Sequence, residues 1–239
     1  MKIESLCSPL KMPFCYGAKE SACGLAVMKT SDFSAFSYEK WLSKPELEKF
    51  DSLGSEKTKI QFACGRIASK IALGIFEDAA PSDIDIANEE SGRPVIHSSD
   101  YGVSISHSEK WIAALVFQKE FVFGIDVEQM RENRRNALKY VNRNPEPIPD
   151  DLKSLTVAWT MKEALSKALQ LGFNLPFEDL AIADFSVKND VFECEFTKYG
   201  ALRGWAILYE NISLAMAYEK RCLWNCDIHQ MLFPTRPAA

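Results

Sequence analysis

The sequence predicts an α+β fold of two similar lobes, each with helices packed on an antiparallel β-meander. Apolar residues recur at helical spacing over about Pro45–Phe76, and a second amphipathic helix is expected over about Asp151–Leu171. Each helical region is followed by short strand-like segments joined by turns, so the order of helices and then a meander occurs twice. We therefore expect an internal duplication, with lobes at residues 1–118 and 119–233 and a flexible tail at 234–239.

In the first half, the helical prediction depends on an apolar stripe that runs from Ile60 to Ala72 at spacings of three and four residues. The strand-like segments that follow are Tyr101–His107, Trp111–Phe117 and Phe121–Glu128. Because only short turns separate them, we expect these three strands to pair in chain order. Residues 1–40 have a mixed pattern that predicts no clear element.

In the second half, the helix is expected to begin at an N-cap formed by Asp150 or Asp151 and to end at Gly172. The predicted strands are Asp179–Val187, Val191–Phe196, Arg203–Tyr209 and Ile212–Tyr218. The turn Lys188-Asn189-Asp190 is typical of a hairpin between the first two.

Composition favours a globular protein and argues against several other classes. The 239 residues are 47% hydrophobic, which is enough to bury a core. The longest apolar runs have about seven residues, whereas a membrane-spanning helix needs about 20, so we expect no membrane-spanning helix. Residues 1–5 begin no secretory signal, and seven scattered cysteines favour a reducing compartment, so we expect a cytoplasmic protein. The net charge of −5 argues against nucleic acid or an anionic membrane as a general partner.

The segment Phe121–Glu128 carries two carboxylates on one face of a predicted strand. Side chains alternate, so Gly124, Asp126 and Glu128 point to the same side, with the two acids ~7 Å apart along the backbone. Carboxylate oxygens at this spacing suit Mg²⁺, and Gly124 would leave room for a ligand to approach the backbone. The alternative is a half-solvated strand with acidic outer positions.

The second helix carries an acid and a base on one stripe. Trp159, Glu163 and Lys167 are spaced four residues apart, away from the apolar face. One interpretation is a solvated Glu–Lys pair worth ~0.3–0.5 kcal/mol. The other places Glu163 beside the two strand carboxylates, where like charges repel unless a cation lies between them, and Lys167 near a phosphate.

Two further segments present polar groups. In Ser104-Ile105-Ser106-His107-Ser108, alternation along the strand places Ser106 and His107 on opposite faces, which argues against a nucleophile–base pair. Hydroxyls and an imidazole at a strand end suit phosphate binding, although a polar turn is the simpler explanation. The tight loop Gly92-Arg93-Pro94 presents one cation.

Taken together and in this order, these motifs resemble the 4′-phosphopantetheinyl transferases of the larger, surfactin-synthetase-activator type. The resemblance rests on Gly92-Arg93-Pro94, Ser104–Ser108, Gly124-Ile125-Asp126-Val127-Glu128 and Trp159–Lys167. It implies a pseudo-dimer with coenzyme A bound in the cleft between the lobes. It also implies transfer of the phosphopantetheine arm from coenzyme A to a serine of an apo carrier protein. Mg²⁺, or Mn²⁺ in its place, would be required, and adenosine 3′,5′-bisphosphate would be released.

The resemblance also implies roles for individual residues. Asp126, Glu128 and Glu163 correspond to the metal-binding acids, and Glu163 to the general base as well. Lys167 corresponds to a residue that contacts the pyrophosphate and assists the leaving group. The residues predicted to act in catalysis are thus Asp126, His107, Glu163 and Lys167. The predicted contacts to coenzyme A are Arg66, Arg93, Ser106, His107, Lys162 and Lys167.

The segment Arg131–Arg143 has five basic residues and one acid, inside an acidic protein. Because carrier proteins of such systems are typically acidic helical bundles, this segment could dock the carrier to a monomeric enzyme. A solvated helix face is the alternative. For the whole chain, two other functions stay open: an Mg²⁺-dependent hydrolase of a phosphate ester or pyrophosphate, and a binding module for coenzyme A or carrier protein that has lost turnover.

Overall fold

The computed structural model describes residues 9–142, 145–170, 176–188 and 191–225. Their helices are α1 (Lys44–Ser52), α2 (Glu56–Leu73), α3 (Arg135–Val141) and α4 (Leu152–Leu169). The strands of the first half are β1 (Leu10–Tyr16), β2 (Lys19–Lys29), β3 (Ile86–Asn88), β4 (Pro94–Ile96), β5 (Tyr101–Ser108) and β6 (Trp111–Gln118). The remaining strands are β7 (Phe123–Gln129), β8 (Ile182–Lys188), β9 (Val191–Phe196), β10 (Leu202–Tyr209), β11 (Ile212–Glu219) and β12 (Cys222–Trp224).

The chain divides into two compact units, and the α+β class is confirmed. One unit contains the described parts of Met1–Phe14, Glu20–Glu120 and Trp224–Ala239, and the other contains Cys15–Lys19 and the described parts of Phe121–Leu223. In neither unit is a described helix both long and apolar enough to cross a bilayer. The predicted tail at 234–239 lies outside the described residues.

In the first unit, helix α2 packs on the antiparallel strands β5 and β6. The sheet order is β12-β1-β2-β6-β5, with β3 and β4 forming a separate two-stranded ribbon. The hydroxyl of Ser55 accepts a hydrogen bond from the Thr58 amide and so caps the start of α2. Strands β1 and β2 were not predicted, because residues 1–40 lack a clean alternation of apolar and polar side chains.

The second unit is an antiparallel sheet with the order β7-β11-β10-β9-β8, covered on one face by α4. Asp151 is the N-cap of α4, as predicted, and its carboxylate accepts a hydrogen bond from the Ser154 amide. The helix ends at Leu169, slightly before the predicted Leu171, and its C-cap Gln170 adopts a left-handed conformation with φ 60°. The predicted stop at Gly172 lies outside the described residues. The four predicted strands after α4 are confirmed as β8 to β11.

The expectation that Phe121–Glu128 continues the preceding meander was wrong. Strand β7 pairs with β11 in the second sheet, with Asp126 opposite Ala215, whereas β5 and β6 pair in the first sheet. Alternation of side chains identifies a strand but does not specify its partner. Here the partner is decided by helix α4, which packs on β7 and β11 together.

Both units contain the same series of elements, which supports the predicted internal duplication. In the first, β2 is followed by α2 and later by the hairpin β5–β6, and the strand order is β2-β6-β5. In the second, β7 is followed by α4 and later by the hairpin β10–β11, and the strand order is β7-β11-β10. Gly24 and Gly124 occupy matching places, because each lies against the backbone of the long helix in its own unit.

The contact at Gly124 fixes how closely α4 approaches β7. A Cβ atom built on Gly124 would overlap the carbonyl oxygen of Ala164 and the nitrogen of Ala168. Both are backbone atoms, which no rotamer change can move aside. We expect Gly124→Ala to lower the free energy of unfolding by about 1–3 kcal/mol, the usual range for overpacking a core. Urea denaturation measures this change.

The matched control is Gly200→Ala in the same unit, where an added Cβ would meet no atom within 4 Å. That variant should be neutral or slightly stabilising, since alanine restricts the unfolded chain. Equal unfolding free energies for the two variants would show that the α4–β7 contact is not tight.

Candidate functional site

Strand β7 presents the two predicted carboxylates toward helix α4. Gly124 faces the backbone of α4, and the side chain of Asp126, two residues on, is bonded to Lys167 of the same helix. The expected face is therefore confirmed for these residues. The room beside Gly124, however, is filled by α4 and not by a ligand, because the absent side chain is what allows close packing of helix and strand.

Two ion pairs hold the strand carboxylates. Lys167 donates a hydrogen bond from Nζ to Oδ1 of the buried Asp126, at 2.6 Å. The guanidinium Nη1 of Arg134 lies 2.7 Å from Oε1 of Glu128. Arg134 belongs to a short 3-10 turn, Glu132–Arg134, that precedes α3. The sequence interpretation assigned Arg134 to a docking segment and so missed this contact.

Glu163 of α4 interacts electrostatically with both strand carboxylates, Asp126 and Glu128. Burial and the charge of Asp126 raise the pKa of Glu163, with a further increase from Glu128, while Lys167 and Arg134 oppose it; the resulting pKa is about 7. The predicted neighbourhood of the three acids is thus supported by their electrostatic interaction. Three carboxylates face two cations here, so the cluster carries a net negative charge when all are ionised.

The donor set suits a hard divalent cation. Asp126, Glu128 and Glu163 offer only carboxylate oxygens, the ligand type that Mg²⁺ prefers, and their excess negative charge calls for a further cation. Within the described ranges, no three His, Cys, Asp or Glu side chains already stand in a metal-binding arrangement. Two of the acids in this cluster are bonded to Lys167 and Arg134 instead, so ligation requires those pairs to open.

The structure corrects the prediction for Lys162. Its side chain has no exposed surface, and Nζ lies 2.7 Å from Oε1 of Glu146. The second oxygen of Glu146 accepts a hydrogen bond of 2.7 Å from the amide of Ile182, at the start of β8. Burial lowers the pKa of Lys162, and pairing with Glu146 opposes that change. Lys162 therefore joins α4 to β8 and is not placed to contact coenzyme A.

The first unit repeats this buried arrangement around Glu46. Its Oε1 accepts a hydrogen bond of 3.1 Å from the amide of Ile86, at the start of β3, and Lys70 of α2 is paired with Oε2. Arg66 adds a second cation, with Nε 3.6 Å from Glu46 Oε1. Glu46 and Glu146 went unnoticed in the sequence, because their pairing partners lie far along the chain.

A pocket of about 640 Å³ opens within the first unit. Its polar lining includes Lys49, Gln61, Arg66, Asn88 and His107. Arg66 is nearly buried, donates a 2.6 Å hydrogen bond to Asn88 and packs over the ring of Phe62. No hydrogen-bond acceptor for Arg66 Nε is found among the described residues. The volume is typical of small-molecule sites.

The other predicted contacts of this unit occupy different places. His107 lines the pocket together with Ile105, whereas Ser106 is buried and does not line it, as expected from alternation along β5. Arg93 does not line the pocket either, but its neighbours Gly92 and Pro94 do. Its guanidinium lies 4.0 Å from the carboxylate of Glu89.

Trp159 and the segment Arg131–Arg143, both singled out in the sequence, make contacts within the second unit. Trp159 of α4 packs against Phe177, with ring centroids 5.7 Å apart. In the Arg131–Arg143 segment, Arg135 is bonded to Glu132 and to the Asp150 carbonyl, and Lys139 to the Asp150 carboxylate. Several of its charges therefore have partners within the unit, and Arg143 lies outside the described residues.

Comparison with known proteins places the second unit in one family. The model of the 4′-phosphopantetheinyl transferase superfamily matches residues 122–217, which carry Asp126, Glu128, Glu163 and Lys167. The holo-[acyl-carrier-protein] synthase of Staphylococcus carnosus is 37% identical over 86 residues, which cover 33% of this chain and 74% of that protein. The holo-[acyl-carrier-protein] synthase of Staphylococcus aureus strain JH9 is 36% identical over 93 residues, covering 36% and 78%.

Among solved structures, similarity is found to a holo-(acyl-carrier-protein) synthase from Bacillus anthracis in complex with CoA (3′,5′-ADP). The sequence identity is 22% and the TM-score 0.37, over 40% of this chain and 93% of that one. The sequence relatives show the family, since they are more than 30% identical and the chain covers about three quarters of each. The chain belongs to the 4′-phosphopantetheinyl transferase superfamily.

Proposed function

We propose that the protein transfers the 4′-phosphopantetheine arm of coenzyme A to a serine hydroxyl of an apo carrier protein and releases adenosine 3′,5′-bisphosphate. The observation that carries this proposal is the raised pKa of the Glu163 carboxylate, which interacts with Asp126 and Glu128. The ion pair between Lys167 and Asp126 lies in the same cluster. A carboxylate with a pKa near 7 is matched to proton transfer at neutral pH. Family membership supplies the reaction type.

In the proposed reaction, the serine Oγ attacks the phosphorus that carries the pantetheine arm. Its proton passes to Glu163, directly or through a water molecule. The bond between that phosphorus and the bridging oxygen breaks, and the bisphosphate leaves. Lys167, now paired with Asp126, would place its ammonium group at the pyrophosphate and stabilise the charge on the leaving group.

Asp126, Glu128 and Glu163 would hold Mg²⁺, or Mn²⁺ in its place. When bound, the ion would neutralise negative charge on the pyrophosphate and orient it for attack. The role of Asp126 as a ligand requires Lys167 to leave it, which is compatible with a lysine that moves to the phosphate.

The first unit would bind the nucleotide end of coenzyme A. Its pocket presents Lys49, Arg66 and His107, whose nitrogens can donate hydrogen bonds to a phosphate. Arg93, beside the pocket at Gly92 and Pro94, would reach a phosphate by leaving Glu89. Ser106 remains a proposed contact on the other face of β5.

We assign the chain to the larger, surfactin-synthetase-activator type, because an α+β unit lies outside the matched residues 122–217. A division into domains at residues 1–118 and 119–233, a cytoplasmic location and a monomeric state complete the proposal. Size-exclusion chromatography with light scattering tests the last of these.

A single experiment tests the reaction. The protein is incubated with coenzyme A, Mg²⁺ and an apo carrier protein, and the carrier is weighed by mass spectrometry. We expect a gain equal to one phosphopantetheine group. Release of bisphosphate with an unmodified carrier would instead identify a hydrolase, and binding of coenzyme A without either product would identify a module without turnover.

The role of Glu163 is tested by Glu163→Gln. Loss of the base should lower the rate of transfer by about 10²–10⁴-fold while coenzyme A still binds, because the amide cannot accept the serine proton. Calorimetry reports coenzyme A binding and the mass-spectrometric assay reports transfer. The control is Glu193→Gln, which removes the same charge from an exposed position on β9 and should leave both unchanged. A fully active Glu163→Gln enzyme would refute the base assignment.

We also propose that α3 forms part of the carrier-docking surface. Tyr140 is 61% exposed there, beside basic residues, and tyrosines are frequent at the centres of interfaces. Tyr140→Ser should raise KM for the carrier by about fivefold and leave KM for coenzyme A unchanged. Val187→Ser is the matched control, since Val187 on β8 is 59% exposed. The surface lies elsewhere if both variants have the same carrier kinetics.

A further inference from the structure

The pair between Arg134 and Glu128 lies where the proposed metal would bind. Glu128 is one of three carboxylates in the cluster, and its Oε1 is 2.7 Å from the arginine. The same oxygen accepts a hydrogen bond of 3.1 Å from the amide of Gln129. An oxygen engaged in this way cannot also take its place in the coordination shell of a cation without losing the guanidinium.

We propose that Arg134 is the resident counter-ion of Glu128 and competes with the divalent metal for that carboxylate. The inference rests on the proposed function. Arg134 would neutralise Glu128 while the metal is absent and withdraw when the metal binds. Its position therefore sets how tightly the protein holds the ion. Arg134 is a positioning residue in this scheme, since it acts through Glu128 and not on the substrate.

Exposure makes Arg134 easier to displace than Lys167. The Arg134 side chain is 40% exposed and lies in a short turn, so water can solvate its guanidinium after release. Its partner Glu128 is 14% exposed. Lys167 is instead bonded to Asp126, which is more deeply buried. Opening that pair would leave a carboxylate that water solvates less well, so it is less favourable than opening the pair at Glu128. We infer that Glu128 becomes available to the metal before Asp126 does.

The charge of Arg134 also reaches the third acid of the cluster. It opposes the increase that burial and Asp126 produce in the pKa of Glu163. One guanidinium therefore acts on two of the three carboxylates. When the metal takes its place, a divalent ion substitutes for a single positive charge at a cluster with excess negative charge.

Arg135 provides a matched control for Arg134. Its side chain is 39% exposed, nearly the same as that of its neighbour. Its contacts are with Glu132, at 3.6 Å, and with the carbonyl of Asp150. Replacing either arginine by glutamine removes one positive charge at almost the same place in the chain, but only Arg134→Gln removes the ion pair with Glu128.

The test is a titration of the full protein with Mn²⁺ in the presence of coenzyme A and without carrier protein, followed by electron paramagnetic resonance. Signals from Mn²⁺ bound to coenzyme A alone are subtracted. Because an exposed ion pair shifts a competing equilibrium only modestly, Arg134→Gln should bind Mn²⁺ about two- to fivefold more tightly than Arg135→Gln does. Arg134→Lys, which keeps the charge, should stay close to the unmodified protein. Circular dichroism verifies that all variants are folded.

Equal Mn²⁺ affinities for Arg134→Gln and Arg135→Gln, or weaker binding by the former, would overturn the inference. If the unmodified protein binds Mn²⁺ and modifies the carrier in the mass-spectrometric assay, such a result removes the role of Arg134 alone. If the unmodified protein neither binds Mn²⁺ nor modifies the carrier, the proposed function fails together with the inference.

Discussion

The close packing of helix α4 on strand β7 is the constraint on which the candidate site depends. It is possible only because Gly124 has no side chain, so the backbone of α4 at Ala164 and Ala168 can reach the strand. The periods of two residues in the strand and 3.6 in the helix then bring alternate strand residues against one stripe of the helix. Asp126 meets Lys167 as a direct consequence.

This packing creates an excess of negative charge in a partly buried place. Burial and the nearby charge of Asp126 raise the pKa of Glu163 to about 7. A carboxylate on the surface of a helix, surrounded by water, would not show such a change. The chemistry of Glu163 therefore comes from its position between strand and helix, and not from its residue type.

The two units show how one scaffold can carry different chemistry. Each has a glycine on the strand against the long helix, at Gly24 and Gly124. Two residues beyond these glycines stand Ala26, which is part of the first core, and Asp126, which carries the acid. Strand β2 lies between β1 and β6, whereas β7 is the terminal strand of the second sheet among the described residues. An interior strand favours apolar side chains, and a terminal strand can carry polar ones.

The sequence by itself determined the α+β class, the start of α4 and the extent of β9, and it singled out Asp126, Glu128, Glu163 and Lys167 as one candidate site, because periodicity and short motifs are local properties. Only the tertiary structure decided the partner of β7, the pairing of Arg134 with Glu128 and the burial of Lys162 against Glu146. Lys162 and Glu163 are neighbours in the chain, yet one lies in the core and the other in the acidic cluster. Successive residues on a helix point about 100° apart, and what each then meets depends on segments distant in sequence.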